Sequence, residues 1–272
     1  MANFSLAALT VLELAPPEMI ELAARCGYDK VGLRLLPATP GGIAYRLMDD
    51  PPLLRETLQR LQSTGVTVAD LEVVAFRPET DVASFTPFFE TGARLGARHI
   101  LVAAYDPDLA RFSNRYRQVC EAAATYGLTS DLEFMPWTTV PDLRTAMRIV
   151  AGIDHPAAGI LVDALHFDRS QSALADLRTV AAERLHYWQL CDGPAERPVT
   201  TEQLIRAARE ERMFPGEGGI DLIGLARAMP DSLTISIEVP TAQLAKSVSA
   251  EERARRALEA GRAVVERART VS

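Results

Sequence analysis

The most constraining feature of this chain is a rhythm: short apolar runs of strand length alternate with longer amphipathic stretches from one end to the other. Strand candidates fall at 4–9, 30–35, 66–75, 99–103, 130–134, 158–163, 186–190 and 233–238. Between them lie helix signals. "PPEMIELAARCGY" opens on two prolines and stops at Gly27, and "PPLLRETLQRLQSTG" closes at Gly65. Near-continuous apolar runs describe strands covered on both faces, as in a parallel sheet flanked by helices. Eight such units predict a single (β/α)8 TIM barrel, with residues 1–272 as one domain. An open doubly wound sheet is the alternative, because strand order is not written in sequence. No short repeat and no Gly-, Ser- or Pro-rich linker interrupts the rhythm. The last segment, "AEERARRALEAGRAVVERAR", alternates charges around a stripe of Ala254, Leu258 and Val265, the pattern of an outer helix.

At 272 residues and 48% hydrophobic the chain can bury a full core. Its net charge of -7 with dispersed basic residues lacks the footprint of a nucleic-acid binder and points to a small-molecule substrate. Cys26, Cys120 and Cys191 form no CxxC pair, which argues against a disulfide framework or a thiolate zinc site. The first residues are apolar but lack a basic leader, reach Glu13 early and are too short to span a bilayer. No membrane association and a cytoplasmic location are therefore expected, with homo-oligomer formation left open.

Barrel enzymes build their sites at the C-terminal ends of the strands. Four oxygen-bearing side chains stand there on otherwise apolar runs: Glu133 in "SDLEFMPW", Asp163 in "GILVDALHF", Gln189 in "YWQLCDGP" and Glu238 in "LTISIEVP". In a closed barrel the last four strands are neighbours, so these ends converge. Three carboxylates at one point repel one another unless a cation joins them. An all-oxygen donor set suits a hard divalent metal, Mn2+ first, with Mg2+ or Co2+ as alternatives.

The ordered motifs "LEFMPW", "VDALHFD", "QLCDGP", "FPGEGGIDL" and "SIEVP" resemble those of the xylose isomerase-like TIM barrel superfamily, whose members include sugar phosphate isomerases and epimerases. The resemblance is specific over 130–240 and continues elsewhere as the βα rhythm. It implies a divalent metal on Glu133, Asp163, Gln189 and Glu238, and a substrate-side histidine at His166, three residues past the aspartate. Many members carry histidine where this chain has Gln189, a weaker donor, which shifts the preference toward harder ions. No phosphate loop of the G-x-x-x-x-G-K-[ST] kind is present.

These residues permit an isomerase or epimerase that moves a proton next to a carbonyl of a small sugar, polyol-derived ketone or hydroxy keto acid through an enediolate. Glu133 and Glu238 would face opposite sides of the reacting carbon as catalytic acid and base. Trp137 and Glu217 are candidate substrate-side residues, Trp137 as a pocket wall and Glu217 in "FPGEGG" on a segment that is either a lid hinge or a tight turn. Arg34, Arg77, Arg197 and Arg212 read by default as surface ion pairs. A dehydratase acting on an inosose- or dehydroshikimate-like substrate and a non-catalytic sugar-binding barrel are the competing readings. An apurinic endonuclease is disfavoured by a count of four histidines.

Overall fold

Every expected strand forms, and each pairs in parallel with its neighbours in chain order, the last returning to the first, so the sheet closes into an eight-stranded barrel. An open doubly wound sheet is thereby excluded. The computed structural model describes residues 2–270. The strands are β1 (Phe4–Leu6), β2 (Lys30–Arg34), β3 (Thr67–Phe76), β4 (His99–Ala104), β5 (Thr129–Glu133), β6 (Ala158–Asp163), β7 (Tyr187–Leu190) and β8 (Thr234–Ile237). The first is shorter than the sequence suggests, because Ala8–Val11 turns into a 3-10 helix whose Ala8 N–H donates to Glu72 Oε1.

Helices return the chain between strands: α1 (Pro16–Cys26), α2 (Pro51–Thr64), α3 (Thr86–Leu95), α4 (Leu109–Ala124) and α5 (Leu143–Ile153) in the first half. The second half adds α6 (Ala164–Arg169), α7 (Leu174–Leu177), α8 (Thr201–Glu210), α9 (Leu222–Ala228) and α10 (Ala250–Thr270). Their stops are those written in sequence: Gly27 and Gly65 end α1 and α2 at φ 86° and 76°, a left-handed conformation that costs glycine little. Asp50, Asp108 and Asp142 each cap a following helix by accepting a backbone N–H. Helix α10 buries Ala254, Leu258 and Val265, the expected stripe. None of the described helices is long and apolar enough to cross a membrane.

The core divides in two. A large cluster packs helices onto the outside of the barrel, and a small one, built on Val73, Leu101, Ala103, Met135, Leu161 and Tyr187, fills the lumen. The lumen also holds a run of acids, since Asp70 and Glu72 on β3 and Asp131 and Glu133 on β5 are all buried. Buried charge of this kind costs several kcal/mol unless paired. The pairing decides the site.

Candidate active site

Register brings the four strand-end residues together. Asp163 lies directly opposite Gln189 across β6 and β7, Gln189 opposite Ser236 across β7 and β8, and Glu238 follows β8 with its N–H on Leu190 O. Glu133 closes β5. All four are at least 95% shielded from solvent, Asp163 and Gln189 completely.

The cation at this cluster is an arginine. Arg212 Nη1 donates to Asp163 Oδ2 at 2.6 Å, and its Nη2 reaches Glu238 Oε2 at 2.9 Å. Its Nε donates to Ala208 O, so the guanidinium is anchored from behind. The expectation that Arg212 makes a surface ion pair is overturned: the chain after α8 folds back over the barrel mouth and is tied down by the bridges Asp192–Met213 and Glu211–Thr241. Arg34 is likewise buried, with Nε and Nη2 both on Glu72 Oε2 at 3.0 and 2.5 Å. Its place at the inward end of β2 excludes it from the surface.

The charges do not balance with Arg212 alone. Fully ionised, Glu133, Asp163 and Glu238 would set three negative charges against the one guanidinium that touches them among the described residues, and burial resists that excess. Burial, with Asp163 and Glu238 close by, holds Glu133 well above the ordinary carboxylate range. Burial lifts Glu238 to about 7 against the pull of Arg212. For Asp163 burial acts upward too, but Arg212 outweighs it and the group lies below its ordinary value. Gln189 adds a further sign: neither its Oε1 nor its Nε2 has a hydrogen-bond partner among the described residues. A buried amide oxygen without a donor, beside two carboxyls that burial keeps from ionising unless a cation joins them, fits a divalent ion held by Glu133, Asp163, Gln189 and Glu238.

His166 joins them. Asp163 caps α6 by accepting the His166 N–H at 2.9 Å, which places the imidazole Nε2 3.7 Å from Glu133 Oε1. Its Nδ1 has no partner among the described residues, and Trp137 meets the ring edge-on at 5.1 Å. Both line one pocket with Glu133, Arg212 and Glu238. Glu217 is not brought in. It is exposed on a tight turn, its N–H on Phe214 O, and Asp192 pins the segment by accepting from Gly216, Gly218 and Ile220 N–H.

Burial lowers His166 from 6.5 to about 4, so it is neutral near pH 7. Between those values the unfolded chain carries a proton at this histidine that the folded one lacks, so the His166 contribution to stability rises with pH across this window, while Glu238, raised to about 7, contributes with the opposite sign. In metal-free protein the His166 contribution alone loses on the order of 2 kcal/mol at about pH 5. Urea unfolding of wild type and His166→Gln at about pH 7 and pH 5 isolates it by difference, with the variant gaining relative to wild type on acidification.

Sequence and structure comparisons place these features among known proteins. The profile of the family described as Xylose isomerase-like TIM barrel matches residues 20–264. A 3-dehydroshikimate dehydratase of Pseudomonas putida is 26% identical over 40% of this chain, a match that spans 16% of the dehydratase. An inosose isomerase of Bacillus velezensis is 22% identical over 90% of each chain. Among solved structures, the IolI protein with a bound zinc atom superposes with a TM-score of 0.81 at 21% identity, covering 97% of this chain and 98% of its own, a likeness of fold.

Proposed function

Since the chain belongs to the xylose isomerase-like TIM barrel family, we propose that it is a divalent-metal-dependent isomerase or epimerase acting next to a carbonyl of a small sugar, polyol-derived ketone or hydroxy keto acid. One observation carries the reading: two buried glutamates from different strand ends, Glu133 and Glu238, open on one pocket, and the Gln189 amide opposite Asp163 is buried without a partner among the described residues. Glu133, Asp163, Gln189 and Glu238 would hold the metal, and the oxygen-rich set favours Mn2+, with Mg2+ or Co2+ as alternatives. When bound, the metal supplies Lewis-acid stabilisation of negative charge on substrate oxygens.

The chain's own residues handle the proton. In metal-free protein burial lifts Glu238 to about 7; with the ion in place its carboxylate would stand ionised, ready to accept a substrate proton and return it. Arg212 takes up Glu238 Oε2 and leaves the other oxygen for this work. Glu133, at the end of β5 on the same pocket, offers the second carboxyl that an inversion of configuration needs. His166, neutral and with Nδ1 free, is suited to hydrogen-bond a substrate oxygen. Trp137 shields the pocket beside it.

A second reading, a dehydratase, is favoured by Arg209. This half-buried residue lines the pocket, contacts Tyr105 Oη at 3.5 Å and has no carboxylate in ion-pair range among the described residues. A cation left without an anion there suits a carboxylate on the substrate, as on dehydroshikimate-like acids. The deciding experiment incubates metal-loaded protein in D2O with inososes, ketoses and dehydroshikimate-class acids. Deuterium gained next to the carbonyl with the carbon skeleton and hydroxyls retained supports the isomerase. Loss of water, weakened by Arg209→Ala, supports the dehydratase. Neither change in any substrate, with metal bound, would leave a sugar-binding barrel.

A further inference from the structure

At the opposite end of the barrel from Glu133, a second cluster faces solvent. His99 begins β4, Asp131 lies in the middle of β5, and His186 immediately precedes β7. One imidazole nitrogen from each ring and one Asp131 oxygen all lie within 4.8 Å of one another. His186 Nδ1 is 2.6 Å from Asp131 Oδ1, and His99 Nδ1 is 3.9 Å from Asp131 Oδ2. We propose that His99, Asp131 and His186 form a second metal site, taking a borderline-soft divalent ion of the Zn2+ or Co2+ class.

Two features show that the site is built. Between Asp131 and His186 runs β6, and the residue of β6 opposite Asp131 is Gly159. A Cβ at Gly159 would fall on Asp131 Oδ1 and His186 Nδ1, so only glycine lets His186 reach across that strand. Thr129 Oγ1 donates to Asp131 Oδ2 at 2.7 Å and, its one proton so used, accepts from His99 Nδ1 at 2.8 Å, which turns that nitrogen toward the carboxylate; ligation through Nδ1 would move the ring proton to Nε2. The two imidazoles are parallel, 4° between planes with centroids 5.7 Å apart, and Tyr187 stacks on His99 at 5.1 Å. Lone pairs lie in the ring planes, so one of the two rings would turn out of the stack on taking the ion.

The chemistry differs from that of the strand-end centre. Two imidazoles and one carboxylate form a three-ligand set with an open position, the composition that zinc favours in accessible sites. The ion would replace the proton shared by His186 and Asp131. Zinc–ligand bonds of about 2.0–2.2 Å ask those two atoms to part from hydrogen-bond distance by less than about 1 Å. Burial lowers His99 to about 4, which leaves its ring neutral and ready to ligate near neutral pH. The side chains of His99 and His186 are 17% and 16% exposed, so an ion can enter from solvent. The all-oxygen cluster at the other end prefers harder ions, so the two sites would sort metals between them.

The test uses the full chain stripped of metal and titrated with Zn2+ alone, followed by calorimetry and by NMR of the histidine rings. Four histidines make the spectrum assignable. The ring signals of His99 and His186 should shift on Zn2+ addition, also in Asp163→Asn protein, where the strand-end centre is disabled. Gly159→Ala and His99→Gln should each remove one Zn2+ equivalent or weaken it at least about 100-fold. If the wild-type His99 and His186 signals stay still at saturating Zn2+, the site does not exist, whatever the variants do. Loss of binding at the strand-end centre alone would leave these signals moving, so the two metal assignments fail separately.

Discussion

Glu238→Gln is expected to lower turnover by at least about 1,000-fold on whichever substrate shows exchange, with the fold intact. The variant keeps the volume and still offers Arg212 an acceptor, because the amide oxygen can take the place of Oε2 on Nη2. What disappears is a buried carboxylate on the pocket wall, the group that takes up and returns the proton. Loss of a positioned acid or base costs about 100- to 10,000-fold, and weaker metal binding adds to it. The check is kcat at saturating metal together with D2O exchange from each epimer separately. If Glu133 and Glu238 serve opposite faces, exchange should persist from one epimer and vanish from the other. Turnover within tenfold of wild type at saturating metal would sink the assignment of Glu238 to proton transfer.

Arg212→Met is expected to produce the largest change in stability. It removes the cation that, among the described residues, touches both Asp163 and Glu238, each of them buried. Breaking a buried pair from one side costs about 3–5 kcal/mol, because the abandoned charges remain. For a chain of this length that is a fall in Tm on the order of 10 °C in metal-free protein. A divalent ion should restore part of it, since the variant leaves three carboxylates with no guanidinium and so attracts the ion more strongly. Binding at about 100 times Kd contributes about 2.7 kcal/mol. Thermal melts of wild type and variant, with and without Mn2+, read both effects. A metal-induced rise in Tm no larger in the variant than in wild type would mean that arginine and ion do not share the same charges.

How much of the site could be read beforehand follows from the range of the forces involved. Glu133, Asp163, Gln189 and Glu238 were legible because a polar residue in a short apolar run is a local contradiction, and the barrel rule says where such residues meet. His166 was legible through its motif, and the helix cap from Asp163 explains its position. Arg212 was not. It sits in "RAAREERMF", where charge on charge describes any solvated helix end. Its partner Asp163 is 49 residues away, and Glu72 is 38 residues from Arg34. Glu217 misled for the converse reason: flanking glycines mark a turn but do not say which way the turn faces. Asp192 decides that by collecting its N–H groups.

The sequence by itself determined the eight strand-helix units and the polar residues at four strand ends, because strand length, side-chain alternation and helix stops are settled within a few residues by backbone sterics and burial, whereas closure of the sheet came from pairing between distant strands. Only the tertiary structure decided how the buried charges pair. Arg212 over the barrel mouth, Arg34 on Glu72, and His186 reaching Asp131 past Gly159 all depend on which distant segments the closed barrel brings within about 3 Å, the distance at which a desolvated charge is either compensated or costly.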